Sequence, residues 1–245
     1  MKNFKFLFAS MALLLSSAVF VSCDDDDAER VNVVSALVTV KTDSEGKSYF
    51  QVDKNTVAHL TNVTGKLYEG KEVRALTQFE LLNPEEANKG DMQARVFWVD
   101  SILTKKAVPS IDEETDAKYG SDPVEVVRTW TTVAEDGYVT LHFFTRWGFG
   151  GKHRVTLVSG VNPENPYEFD FHHDAFGDTY GQIAYGIAAF NIKDVIAQTG
   201  VEPKEITINI DSFNGKKTFT LKYNPVIGDD DANPQDLANM NVKVE

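Results

Sequence analysis

The sequence predicts an all-β protein of two domains, a small five-stranded barrel followed by a seven-stranded β-sandwich, behind a short apolar leader. Three observations predict it. From Val31 onward apolar residues recur with a period of two, the mark of strands with one buried face. The length, 245 residues, accommodates two ordinary domains. A charged stretch without a sustained period interrupts the alternation near its middle. Composition agrees: 42% hydrophobic and 25% charged residues exclude wholesale disorder, and a single Cys excludes a disulfide scaffold. With 24 basic against 37 acidic residues and a net charge of -13, nucleic acid is a poor partner, because it needs clustered Lys and Arg.

Residues 1–22 carry Lys2 and Lys5, then an apolar run from Phe6 to Val21. The run is shorter than the roughly 20 residues that cross a bilayer as a helix, and it ends in small residues, so it reads as a cleaved signal. Val21-Ser22-Cys23 resembles the lipobox at which bacterial lipoproteins are cut and acylated, with Phe20 where that box usually has Leu. Cys23 is therefore the expected lipidation site, and the lipid bilayer the expected partner through it; more than one acyl chain gives stable anchoring. Cleavage removes two lysines and no acid, taking the charge from -13 to -15. Residues 23–30 form an acidic tether. Asp24 to Asp27 directly behind the cysteine resemble the export signal of Bacteroidetes surface lipoproteins, whereas in enterobacteria an Asp there accompanies inner-membrane retention. An outer-membrane, surface-exposed position is expected, a periplasm-facing one the alternative.

The barrel is expected over residues 31–105, with strands at Val33–Lys41, Ser48–Val52, Thr56–Leu60, Lys71–Leu82 and Gln93–Thr104. Val73, Ala75, Thr77, Phe79 and Leu81 alternate with Arg74, Gln78 and Glu80, which assigns the first set to the core and the second to the outside. Five strands in about 75 residues suit an OB-type barrel or another closed barrel of that size. Residues 106–122, with Pro109 and Gly120, read as a linker.

Across residues 123–224 the alternation resumes: Val124–Thr132, Val139 to Phe143, Val155 and Leu157, Phe169 and Phe171, Ile183 to Ile187, Ile206 to Ile210, Phe219 to Tyr223. Seven strands without Cys pairs favour a two-sheet sandwich of immunoglobulin-like general shape. Asp136-Gly137 and Asn214-Gly215 mark two-residue hairpin turns, and Asn191 to Thr199 a short helix before Gly200. Residues 225–245 are expected to be an acidic disordered tail. Asp229, Asp231 and Asn233 begin a calcium-loop spacing, but Pro234 and Met240 stand where such a loop needs Gly and Glu.

No catalytic motif, cofactor site or metal site emerges. His172 and His173 are adjacent on a strand and point to opposite faces, so they do not share an ion. His173, in phase with Phe169 and Phe171, reads as a hydrogen-bonded core histidine that helps fix the Ala175–Asp178 turn; His142 and His153 look isolated. Trp147, Phe149, Tyr167 and Tyr180 sit on sandwich connections, where aromatics either close the core or form a binding surface for a sugar or protein. Trp98 and Trp130 fall within strands and are expected in or beside the core. Asp100-Ser101-Ile102 looks like the acceptor of Bacteroidetes O-glycosylation, with Ser101 as the modified residue, or equally like a strand end with local hydrogen bonds.

Asp100-Ser101-Ile102-Leu103-Thr104-Lys105 and Phe171-His172-His173-Asp174-Ala175-Phe176-Gly177-Asp178, with the lipobox and the order of parts, resemble the NigD-like lipoproteins of Bacteroidetes. That family more often has His-Asn-Ala-Tyr-Gly-Asp in the second segment, so Asp174 and Phe176 are conservative departures. The resemblance implies an N-terminal OB-like domain, a C-terminal β-sandwich, and a structural part for His173, Asp174, Gly177 and Asp178. It implies no catalytic residues, and its association with a bacteriocin gene cluster implies immunity or envelope interaction. The leading expectation is thus a non-enzymatic lipoprotein that binds an envelope protein or glycan ligand. The alternative is a glycan-acting envelope enzyme or carbohydrate-binding module with a loop-borne site.

Overall fold

In the computed structural model, residues 32–83, 90–148 and 150–224 are described. The leader, Cys23, the acidic tether, Phe149 and the acidic tail lie outside the described residues. The first five strands are β1 (Val33–Thr42), β2 (Ser48–Gln51), β3 (Val57–Leu60), β4 (Val73–Leu81) and β5 (Asp91–Ser101). They close into a barrel in the order β1-β2-β3-β5-β4, antiparallel except where β3 meets β5. Closure follows from the period-two pattern: Val38, Val40, Phe50, Ala75, Phe79, Leu81, Met92 and Ala94 all turn inward and leave no strand edge unpaired.

The second domain begins directly. After Ile102 the chain enters β6 (Leu103–Lys106) and β7 (Val108–Pro109), then helix α1 (Thr115–Tyr119), β8 (Glu125–Val126) and β9 (Val133–Glu135). The long strands are β10 (Tyr138–Trp147), β11 (Arg154–Ser159), β12 (Glu168–Asp174), β13 (Gln182–Asn191), β14 (Glu205–Ser212) and β15 (Gly215–Lys222), with helix α2 (Lys193–Thr199) after β13. One sheet runs β6-β13-β10-β8, with β9 also on β10, and the other runs β15-β14-β12-β11-β7. Between them Val139, Leu141, Phe143, Leu157, Phe169, Phe171, Phe190 and Ile208 form the core. Phe171 meets Phe143 and Phe190 edge-on at 5.5 and 5.7 Å, an arrangement that favours the ring quadrupoles.

Several expectations need correction. The expected linker, residues 106–122, is part of the sandwich: β7 adds to β11 in parallel, and Asp122 N–H donates to His173 O at 2.9 Å. Sequence periodicity misses it because its backbone groups are satisfied at sheet edges by pieces too short to show a period. The expected strand Val124–Thr132 is only β8, because the Thr132 hydroxyl donates to Val127 O at 2.5 Å and turns the chain. With β6, β7 and β9 the sandwich has ten strands among the described residues instead of seven. Asp136-Gly137 makes the expected turn, with both residues at positive φ, whereas at the other hairpin Gly215 alone is at positive φ and the loop is Phe213-Asn214. Trp98 is exposed: a bulge opposite Gln78 and Phe79 adds Phe97 to β5, and both aromatic rings face outward.

The last correction concerns Arg74. Its side chain does leave the barrel interior, as the alternation requires, but it is only 1% exposed, because the sandwich covers it. Its guanidinium donates to Glu135 Oε1 at 2.5 Å and to Thr39 Oγ1 at 3.0 Å, and stands 6.0 Å from the Tyr138 ring centroid. Around it Lys41 pairs with Asp136 at 2.8 Å, and the Tyr138 hydroxyl donates to Glu72 at 2.7 Å. Lys193 also pairs with Glu72. Removing one member of such a buried pair strands the other in low dielectric, so Arg74→Ala is expected to cost roughly 3–5 kcal/mol. Arg74→Met with Glu135→Leu should recover most of it. Urea denaturation of the three proteins checks both.

Candidate functional site

The sandwich end opposite the barrel carries the most chemistry. Antiparallel pairing sets Trp147, the last residue of β10, against Gln182, the first of β13, so Tyr180 lies beside Trp147. The loop after β12 is a tight turn in which Asp178 N–H donates to Ala175 O at 3.0 Å. Phe176 and Gly177 both take positive φ there. For Phe176 this left-handed conformation is strained by about 1 kcal/mol. Asp174 holds it, its Oδ1 accepting the Phe176 N–H at 2.8 Å. The strain leaves the Phe176 ring 62% exposed, over the Arg154 guanidinium at 5.0 Å. Tyr180 is 81% exposed. On the neighbouring hairpin, Phe213 stacks on Phe144 and lies under Arg146 at 5.9 Å.

Tyr167, grouped with these aromatics on sequence, is at the other end of the sandwich. It precedes β12, packs against the core and hydrogen-bonds Thr199 and Val201, so it closes the core beside α2. The structure puts Trp147 and Tyr180 at the same end of the sandwich, Trp147 half-buried with its Nε1 donating to Gly151 O at 3.0 Å and Tyr180 exposed, and adds Phe176 and Phe213, which sequence reading did not include.

Beneath the exposed rings is a buried polar brace. Asp178 Oδ1 accepts the Gly148 N–H at 2.7 Å, and a Cβ on Gly148 would stand 2.2 Å from that oxygen, so only glycine fits. Asp178 Oδ2 is 3.6 Å from His153 Nε2, and His153 Nδ1 is 2.9 Å from His173 Nε2. His153 is therefore not isolated; β-sheet register, invisible to local spacing, makes it the partner of His173. Across this contact one ring donates and the other accepts, so a proton added to the accepting nitrogen would set two N–H groups head-on. Burial pushes His173 down to about 4, and the neighbouring His153 acts in the same direction, against the opposing pull of Asp122. His172 turns the other way, its Nδ1 donating to Gly120 O at 2.7 Å, so the adjacent histidines diverge as the strand geometry requires.

A second hollow, about 350 Å³, opens between the domains against Lys54, Lys193, Ile196, Glu202 and Tyr223. Its charges are already used, Lys54 pairing with Glu202 at 2.9 Å and Lys193 with Glu72, which leaves no unpaired charge from these groups for an ionic ligand. Ser101 is exposed at the end of β5, beside the likewise exposed Asp100, at the junction of the domains.

The description of the NigD-like N-terminal OB domain matches residues 37–102, and that of the NigD-like C-terminal β-sandwich domain matches residues 107–223. Among solved structures, a toxin-related protein, so described, from Parabacteroides distasonis is 26% identical with a TM-score of 0.64, covering 79% of this chain and 94% of that one. A protein of unknown function from Bacteroides vulgatus is 19% identical with a TM-score of 0.67, covering 86% of this chain and 100% of its own. A NigD-like immunity protein from Bacteroides caccae is 18% identical with a TM-score of 0.53, covering 76% and 90%. No curated protein gives a significant match.

Two predictions follow from the site chemistry. His173 binds its proton less readily folded than unfolded, so its contribution to stability is complete above pH 6.5 and is lost as pH falls toward 4. The difference between 6.5 and about 4 corresponds to roughly 3 kcal/mol. Urea midpoints across that range should fall more steeply for the wild type than for His173→Gln. If Ser101 is an O-glycan acceptor, the intact mass of native protein exceeds that of Ser101→Ala by a glycan; equal masses after allowing for the substitution end that assignment.

Proposed function

The chain belongs to the NigD-like family, and on that premise we propose that it is a lipid-anchored envelope lipoprotein, without catalytic activity, that binds a protein partner through the far end of its sandwich. The observation that carries this reading is the set of exposed rings Phe176, Tyr180 and Phe213, with Arg154 against Phe176, Arg146 against Phe213, Trp147 half-buried at the end of β10 and Asp178 bracing the turn from beneath. Tyr, Trp and Arg are the residue types that dominate binding energy at protein interfaces, and a pre-organised surface loses little entropy on binding. Phe176 adds a second argument, since backbone strain kept in order to expose an apolar ring has no packing benefit.

A non-enzymatic role is supported by the placement of the histidines. His153 and His173 are enclosed, and the lowered basicity of His173 leaves a neutral ring that faces another ring instead of solvent. Anchoring rests on Cys23, and the four aspartates behind it favour the outer face of the outer membrane. An immunity-like role, in which the partner is a bacteriocin or its receptor, is supported by the names of two structural relatives, one an immunity protein and one described as toxin-related.

The test is deletion followed by challenge with bacteriocins from related strains. The deletion is expected to sensitise cells to at least one bacteriocin, and the wild-type gene to restore resistance. Phe176→Asn with Tyr180→Ser, made to equal levels, should not restore it. Truncating such anchors typically costs about 2 kcal/mol, or roughly thirty-fold in affinity. Unchanged sensitivity of the deletion across the panel removes the immunity role.

A further inference from the structure

The barrel has an exposed apolar face of its own. Leu82, Phe97 and Trp98 are 45%, 49% and 38% exposed, and all three lie on the outer wall formed by β4 and β5. The register shows where this face is. Trp98 is opposite Gln78, and Gln78 is opposite Ser35 on β1, so Trp98 is two strand spacings, about 10 Å, from Ser35. Ser35 is three residues from Asn32, where the chain joins the barrel. Between these rings and Leu82 the ion pair of Arg95 with Glu80, at 2.5 Å, neutralises itself. The β5 bulge is what places two consecutive aromatics outside, where regular alternation would bury one.

The polarity of the strands gives this face an address. β1 begins at Val33 beside the patch and reaches the sandwich eight residues later, where Lys41 pairs with Asp136. Asn32 is therefore at the barrel end turned away from the sandwich. Nine residues join it to Cys23, which at full extension reach at most about 30 Å. A barrel held within that reach can bring its outer wall to the bilayer, and the wall beside the attachment point carries two exposed aromatic rings and a leucine around a self-neutralised ion pair. Trp and Phe at a membrane surface gain by burying rings at headgroup depth.

We propose that Leu82, Phe97 and Trp98 form a membrane-contact face that seats the barrel on the bilayer holding the acylated Cys23. This rests on the lipoprotein reading, and it fixes the orientation of the molecule: barrel down, with Phe176 and Tyr180 presented outward.

The experiment replaces the first 23 residues by a polyhistidine tag and couples the protein to vesicles of phosphatidylethanolamine and phosphatidylglycerol that contain a chelating lipid and a bromine-labelled lipid. Bromine quenches tryptophans that reach the acyl region. The wild type is expected to lose about a third of its emission, the share of one tryptophan in three. Trp98→Phe should abolish the quenching, and Trp147→Phe should leave it. Phe97→Ser with Trp98→Ser, whose exposed positions should leave the melting curve unchanged, should release the face from the vesicle as read by proteolysis of the barrel. Quenching that persists in Trp98→Phe, or none in the wild type, overturns the proposal. A dimer in solution abolished by Trp98→Ser, without quenching, overturns it in favour of a second copy as occupant. Because the tag replaces the acyl chains, the vesicle result is independent of lipidation, which the mass of native protein against Cys23→Ser tests separately.

Discussion

A single guanidinium sets the geometry of the molecule. Arg74 leaves the barrel wall on the side that a lone barrel would expose to water, and here it is buried against the sandwich. A buried, always-charged group is tolerable only if its donors are met, so the sandwich must bring Glu135 and the barrel Thr39 to fixed positions. Burial pushes the Glu135 carboxyl up, and the Arg74 guanidinium beside it pulls it back. Two further links, Lys41 to Asp136 and Tyr138 to Glu72, surround the pair, so the β9–β10 hairpin is docked on the barrel. Only Ile102 separates β5 from β6, which removes the length of chain that would let the domains swing.

From that docking the rest of the layout follows. β10 starts at Tyr138 against the barrel and runs ten residues, about 30 Å, to Trp147, so the β10–β11 and β12–β13 loops are carried as far from the barrel as the fold allows. β1 does the same in the opposite direction, from Lys41 at the interface to Val33. The two strands place Asn32 at one pole of the molecule and the exposed aromatics at the other. The lipoprotein role proposed above would use this polarity, and a rigid polar joint maintains it where a flexible linker would not.

The strands themselves were legible from the sequence because they depend on a local signal, apolar residues every second position, and the OB-like barrel, the Asp136-Gly137 hairpin and the helix before Gly200 all appear where the pattern puts them. What escaped depends on partners distant in the chain. Alternation correctly turned Arg74 outward, but only the second domain makes outward mean buried. Residues 106–122 looked like a linker because an edge strand of two residues has no period. Phe97 shifts the register by one, so Trp98 faces water although a regular strand would bury it. His153 could be paired with His173 only by knowing the β11–β12 register, and Tyr167 separated from Trp147 only by knowing which loops share an end.

Two of the places where local rules are broken, at opposite ends of the sandwich, make an informative contrast. At the domain interface a buried cation and its buried acid violate the usual preference for apolar cores, but each answers the other, and the pair has a structural reason in the joint it makes. At the far end of the sandwich Phe176 sits in a left-handed conformation with its ring in solvent, while the buried His153 Nε2 has no hydrogen-bond partner, Asp178 Oδ2 standing 3.6 Å away. Neither of these increases stability: an unsatisfied buried nitrogen costs about 1–3 kcal/mol and the strain adds to it. Sequences that otherwise agree with their fold at every level depart from it where function requires. The costs at this end accompany exposed rings and a rigid turn, which packing does not explain and which the binding surface proposed above would require.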